Sequence, residues 1–483
     1  MSRPGPAADG SSGSPAGRVP VGPSTGTTAA PPPPDERLLS TTMVGVAAGA
    51  ILVPLNSTML AVALPSVMAA FTVTPDAAAT LVTVYLGAVA IAVPISGSMG
   101  DRYGHRRAFL IGVGGFGLAS ILAALAPLFT ILVLARVLQA VSGALVSTSS
   151  VALVRATAPA SRRGAAFGLF DMLVSTSAAL GPLVGGLIVG AFDWRAMFFV
   201  AAPVAVIAMV AVGLRPDPMV AAERRGERAS RRSIDAAGLI LLAILLAAML
   251  LALRGGRDGV LDVVAALAVP VILFAFVRLE LGVDHPAVDP RLFASRPFAA
   301  AVVGVFAATV ILHATLVLVP LLIEILQNGS PQTTGLVLLG ISALGAIAAP
   351  FGGRFSDRVG RRTPAVIGAL ATAAGLAALW QVATIASPLV LGGLLAIVGA
   401  GMGLAGSPRQ AAALETVGPE RVGMAAGTYY TGRYLGGVLG ASMAGAVLGG
   451  AVTGAGVGLG FGMLTIVALG LLVASGGLPG RRS

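Results

Sequence analysis

The sequence contains no cysteine, no lysine and only three histidines. Without cysteine there is no disulfide, thiolate nucleophile, zinc–thiolate site or iron–sulfur cluster. Without lysine there is no P-loop ammonium for nucleotide phosphates and no amine for a Schiff base or pyridoxal phosphate. Charge is scarce as well, at 11% of residues against about 25% in a soluble domain. The paired histidines, zinc ligands or Ser-His-Asp set of an intramembrane enzyme are missing, so no catalytic residue and no metal is expected. What is abundant is apolar: 56% of the 483 residues are hydrophobic, which reads as a membrane protein.

The net charge of +11 comes from 31 Arg against 20 acids. In so apolar a chain this excess is the mark of cytoplasmic loops rather than of a nucleic-acid surface, and no nucleic-acid partner is expected. Redox compartment cannot be read from a chain without thiols.

Residues 1–38 hold nine Pro and six Gly, including the run Pro31 to Pro34, with too little bulky apolar surface to offset chain entropy. They are expected to form a disordered cytoplasmic tail, with no secretory leader ahead of the first span. From Thr42 onward the chain breaks into apolar blocks separated by polar or Arg-bearing joints. Six spans are predicted within 39–214, near 43–66, 78–99, 108–126, 129–151, 164–191 and 196–214. A basic linker and two extra helices, near 236–253 and 260–279, fill 215–290. Six more spans within 291–476 lie near 298–326, 333–353, 364–383, 386–408, 423–447 and 457–476, before a cytoplasmic tail over 477–483. Fourteen crossings at about 20 residues each use roughly 280 residues. Threaded from a cytoplasmic amino terminus, the pattern puts 26 Arg in inward loops and tails and three (Arg195, Arg254, Arg257) outside, which orients both termini inward in the cell membrane.

The two six-helix groups are repeats. Gly97-Ser-Met-Gly-Asp101-Arg102-Tyr-Gly104-His-Arg106-Arg107 recurs 256 residues later as Gly353-Arg-Phe-Ser-Asp357-Arg358-Val-Gly360-Arg361-Arg362, each time after the second helix of a group. Both copies face the same side, so the repeat is parallel, a layout that puts a ligand near midplane between two rocking halves. In each loop the first Gly would admit a close neighbouring helix, Asp101 and Asp357 would offer a carboxylate to a helix amino terminus, Gly104 and Gly360 would permit a left-handed turn, and the Arg residues would bind carboxylates or anionic headgroups.

On these paired loops the chain resembles the major facilitator superfamily, specifically its 14-helix drug:proton antiporter branch, from Ser40 to Val473. The resemblance implies an all-α fold of two parallel six-helix bundles with two extra helices, in which the loops latch the bundles together at the cytoplasmic side. It is supported in the fifth helix by Gly181-Pro182-Leu-Val-Gly185-Gly186, which matches the antiporter motif; its plainer reading is close helix packing. In the fourth helix, Arg136-Val-Leu-Gln139-Ala-Val-Ser matches a family pattern except at its glycines, and the resemblance suggests a part for Arg136 in proton relay. Arg433 matches a family arginine low in the eleventh helix, with snorkelling to the interface as the alternative. The first helix departs: Leu55-Asn56-Ser-Thr58 stands where the family has Leu-Asp-x-Thr, and Ala61 replaces an Asn. Asn56 cannot titrate, so the usual first-helix proton carrier is missing.

A carboxylate that often pairs with the loop in the family is absent after the fourth helix of the first group, so that either this latch is weaker or its Arg is left to lipid phosphate, whereas Glu415 after the tenth could serve the second copy. Apart from Asp262, a plausible cap at an outer helix start, two acids remain inside predicted spans, Asp171 and Glu324, and both are candidates for proton coupling. Asp171 would lie roughly 12 Å deep in the fifth helix, where desolvation favours a reversible proton carrier unless a cation such as Arg136 pairs with it. His313, eleven residues before Glu324, would share its helical face, either as a relay or as a satisfied core histidine.

The expected function is a secondary exporter of amphiphilic or cationic small molecules working by alternating access, with protons as coupling ion, no cofactor, lipids as neighbours, and a monomer as the working unit. The alternative is an uncoupled exporter or facilitator of a neutral or anionic metabolite, centred on Arg136 and Arg433.

Overall fold

The computed structural model describes residues 41–158, 163–213, 235–252, 259–283, 286, 288–417 and 422–480; the expected tail over 1–38 and the linker over 215–234 lie outside them. Fourteen α-helices follow in order: α1 Thr41–Phe71, α2 Pro75–Tyr103, α3 His105–Ala124, α4 Phe129–Thr157, α5 Arg163–Ala191, α6 Trp194–Gly213, α7 Ala236–Ala252, α8 Gly259–Leu281, α9 Arg296–Leu321, α10 Pro331–Val359, α11 Arg362–Val382, α12 Pro388–Glu415, α13 Val422–Leu448 and α14 Gly454–Gly476. Twelve of them are long and apolar enough to cross a membrane; the other two are α7, with 17 residues, and α13. Among the described residues no strand forms, only an isolated bridge between Gly360 and Gly480.

Local chemistry explains where the helices start. Ser or Thr followed by Pro opens α2 (Thr74-Pro75), α10 (Ser330-Pro331) and α12 (Ser387-Pro388), because Pro at the first helical position lacks only an amide that would be unsatisfied there. Ser330 accepts from the Thr333 amide at 3.2 Å, and Thr453 accepts from Gly456 at 3.1 Å to cap α14. The helices run longer than the predicted spans at the ends that carry Arg, because polar turns beyond the hydrocarbon remain helical.

The helices α1–α6 pack among themselves, as do α9–α14. The extra pair α7 and α8 packs together, and α7 also touches α2 and α13: Leu246 and Val438 both lie 3.9 Å from where a Cβ at Gly87 would stand. Most of α8 is exposed apolar surface, including Val260, Leu267, Val271 and Phe274, as suits a helix bathed in lipid.

The connections α2–α3, α4–α5, α10–α11 and α12–α13 share one end of the bundle, called the basic end here. Both ends of the described chain lie there too. The Thr157 hydroxyl donates to Met43 sulfur at 3.9 Å, and the Arg362 amide donates to the Pro479 carbonyl at 3.0 Å, so part of the expected carboxy-terminal tail is packed on the α10–α11 loop.

Between the halves, α5 meets α10 and α2 meets α13 towards the far end. A Cβ at Gly186 of α5 would stand 2.5 Å from the Pro331 carbonyl of α10, and one at Gly335 of α10 would stand 2.7 Å from the Pro182 carbonyl. Likewise α2 meets α13 where Gly445 approaches Ala79 and Gly437 approaches Leu86. Gly168 precedes Gly186 and Gly97 follows Ala79 by about five helical turns, on the same faces, yet a Cβ at either would meet nothing within 4 Å. Both seams are therefore closed at the far end and parted at the basic end.

Candidate functional site

Arg136 sits eight residues into α4 and is 1% exposed. One guanidinium nitrogen donates to Asn56 Oδ1 of α1 at 2.9 Å and to Gln139 Oε1 one helical turn on at 2.8 Å, and Nε reaches the Leu81 carbonyl of α2 at 3.5 Å. The guanidinium also lies over the Tyr85 ring, 4.1 Å from its centroid. From Gln139 the network continues: Nε2 donates to Ser120 Oγ at 2.7 Å, and that hydroxyl donates to the Phe116 carbonyl at 2.7 Å. Four helices thus meet at one cation. Tyr85 and Ser120 carry no charge or motif in the sequence and could not be assigned to this cluster from it.

Arg136, named as a cation that could pair with Asp171, does not pair with it. Arg136 spends its donors on neutral oxygens, while Asp171 is exposed on α5. The reason is periodicity: Asp171 lies eleven residues before Pro182 and fifteen before Gly186, on the face that turns to α10 rather than to α4. Asp171 is exposed there, as are Met172 and Ser175.

Glu324 lies within a π-turn over Leu322–Leu326, beside Thr334 of α10. One Glu324 oxygen, Oε1, is buried without a hydrogen-bond partner. His313 takes the satisfied reading, its Nδ1 lying 3.0 Å from the Thr309 carbonyl of its own helix, close to Gly437. Arg433 is exposed on α13, four residues before Gly437 and on the side that lines the α2–α13 seam, so it faces the open cleft.

The two repeated loops show one shared and several divergent features. Gly104 and Gly360 both adopt φ near +90°, at 91° and 90°, as expected for the tight turn. The expected close approach at Gly97 and Gly353 is absent, because the halves are apart at this end: a Cβ at Gly353 would meet nothing nearer than Ser407 at 3.8 Å. Among the described residues Asp101 and Asp357 cap no backbone amide; they lie four residues before His105 and Arg361 and meet those side chains at 3.3 and 2.7 Å. Arg106 is not left to lipid: it caps the end of α6, donating to the Val212 carbonyl at 2.9 and 3.1 Å and to Gly213 at 3.1 Å. Arg102 and Arg358 are exposed, Arg102 lying against Tyr103. In the second loop Arg361 grips both oxygens of Glu415, at 2.6 and 3.3 Å, and also donates to Ser356. Glu415 holds the Arg361 guanidinium above its ordinary pKa through this hydrogen bond.

The motif over Gly181–Gly186 packs as small residues should. Gly181 would clash with Thr58 and Gly185 with the Met59 backbone of α1 if either carried a Cβ, while Gly186 faces α10. In one helix these three glycines seat α5 against its own half and against the other. Asp235, unassigned by the sequence reading, caps α7 by accepting from the Gly238 amide at 2.8 Å.

A sequence profile described as Major Facilitator Superfamily matches residues 46–441 and again 305–480. The chain belongs to the Major Facilitator Superfamily. Within it the chain is 31% identical to an uncharacterized MFS-type transporter, YvkA, of Bacillus subtilis (strain 168), over 80% of this chain and 85% of that protein. It is 33% identical to the tetracenomycin C resistance and export protein of Streptomyces glaucescens, over 71% of this chain and 63% of that one. It is 32% identical to multidrug resistance protein Stp of Mycobacterium tuberculosis (strain CDC 1551 / Oshkosh), over 80% of this chain and 71% of that one. In fold it is similar to the inward-open xylose transporter XylE from E. coli, with a TM-score of 0.62 at 15% identity over 91% of this chain and 96% of that chain. Members of the superfamily are transporters rather than enzymes, and this one is a multi-pass membrane protein.

Proposed function

We propose that this superfamily member exports amphiphilic or cationic small molecules across the cell membrane by alternating access, coupled to inward proton flow. Its basic end faces the cytoplasm, since the sequence pattern assigns 26 Arg to inward loops and tails against three to outward ones. Two relatives carry names of multidrug resistance and antibiotic export, which supports the substrate class.

The observation that carries the reading is the exposure of Asp171 on α5, on the helix face that meets α10 further along at Gly186. A carboxylate there attracts a cationic amphiphile while ionised and releases it on protonation, so one group can exchange substrate for proton as the cleft closes at one end and opens at the other. Glu324 near the far end is a second acceptor on the exit side. The chain serves as its own transport unit, a monomer.

The test is flux in proteoliposomes under an imposed pH gradient, with a panel of lipophilic cations, comparing wild type with Asp171→Asn and Glu324→Gln. Cation-dependent proton movement that disappears in Asp171→Asn supports the reading; cation flux without proton movement in wild type refutes the coupling. A second reading, an uncoupled exporter of neutral or anionic solutes, is favoured by one observation, the neutral Asn56 against Arg136. Flux of such a solute that ignores the pH gradient would replace the first reading with it.

A further inference from the structure

We propose that Arg136, Asn56 and Tyr85 form a binding site for a small monovalent anion, of the chemistry of chloride. The inference does not rest on the export reading. A guanidinium is charged at every accessible pH, and moving it into a low-dielectric interior without a counter-charge is strongly unfavourable. Arg136 has no carboxylate partner among the described residues; its acceptors are two side-chain amides and a backbone carbonyl.

The direction of those amides makes the site. Facing a cation that has only donors, Asn56 must present Oδ1, which leaves its Nδ2 pointing away. On the Gln139 arm the corresponding Nε2 has an acceptor, and the chain of bonds ends properly on the Phe116 carbonyl. On the Asn56 arm nothing completes the chain: Asn56 is 3% exposed and its Nδ2 is buried without an acceptor. The Tyr85 hydroxyl, whose ring carries the guanidinium, is also buried with no partner. Two orphan donors therefore flank one uncompensated positive charge.

Buried arginine does not require this arrangement. Arg409, 3% exposed on α12, is satisfied by the carbonyls of Gly304, Ala405 and Met402 at 2.8, 3.1 and 3.5 Å, with no unpaired donor beside it. Water could accept from Asn56 and Tyr85 but would leave the charge; an anion both accepts from them and neutralises Arg136.

The test uses the purified full chain in detergent, with unfolding followed by the fluorescence of Trp194 and Trp380. Chloride, bromide, formate or acetate is titrated against gluconate at constant ionic strength. Wild type should gain about 2 °C or more in Tm, saturably, with halide. Asn56→Asp, which supplies a carboxylate to Arg136, should lose the halide response while keeping a Tm at least equal to that of wild type in gluconate. Tyr85→Phe should need several-fold more halide for half its effect. Stabilisation by formate and acetate but not by halide, with the same dependence on Asn56, would assign the site to the carboxylate of an organic solute. A wild type indifferent to all four anions, or an Asn56→Asp variant with an unchanged halide response, would overturn the proposal.

Discussion

Arg361 holds Glu415 through both carboxylate oxygens, whereas His105, at the equivalent place in the first repeat, reaches only Asp101 on its own helix junction. The second loop is thus tied to the end of α12, while no such ion pair to α4, which ends without an acid, is found among the described residues. The two halves carry the same motif and use it differently.

Removing the Arg361–Glu415 tie should cost little stability and affect movement more. The Glu415 side chain is 55% exposed, and such pairs contribute about 1 kcal/mol at most. Glu415→Gln should lower Tm by no more than about 2 °C. The pair raises the Arg361 pKa, so its contribution is present below the ordinary Arg value and is lost only as pH climbs through the higher folded one. The Tm difference between wild type and variant should accordingly stay constant from about pH 7 to about pH 9. A difference that collapses in that window would mean another group carries the effect.

Alanine at Gly360 should be far more damaging than at an exposed helical glycine. With φ at 90° the residue lies where a Cβ is strained, at about 1–3 kcal/mol. Gly360→Ala and Gly104→Ala should each lower the thermal midpoint by several degrees, and Gly353→Ala, whose Cβ would make only an ordinary contact with Ser407 at 3.8 Å, should not.

A bulky residue at Gly186 should hold the far end of the α5–α10 seam open. Its Cβ would press on the Pro331 backbone, which cannot yield like a flexible side chain. Because the chain has no cysteine, single-cysteine reporters need no prior engineering. A cysteine at Ser175, in the parted part of the cleft, should react with a water-soluble maleimide several-fold more slowly once Gly186→Leu is added. An unchanged rate would show that the seam does not gate this cleft.

Asp171 should act through its charge rather than through packing. Asp171→Glu should retain pH-driven flux of a lipophilic cation and Asp171→Asn should lose at least about 90% of it, with little change in Tm for either, since the side chain is exposed. Comparable loss in both variants would point to a steric role.

Composition, apolar blocks and the repeated loop were enough to determine the helix order, the parallel repeat and the glycine turns, because each depends on neighbours within a few residues or on exact recurrence. The small-residue motif at Gly181–Gly186 was legible for the same reason: close packing needs only the absence of a side chain. What surrounds Arg136 was not legible, since its partners come from α1, α2 and α3 and include Tyr85 and Ser120, which no spacing marks. Nor was the π-turn that contains Glu324, because one extra residue in a turn leaves no trace in an apolar pattern. The closeness expected at Gly97 and Gly353 depends on which end of the two halves is parted, a property of how the bundles rest against each other. Local sequence sets each helix and loop; the fate of a charge buried among four helices is decided by which neutral or charged groups the tertiary packing brings within hydrogen-bond reach of it.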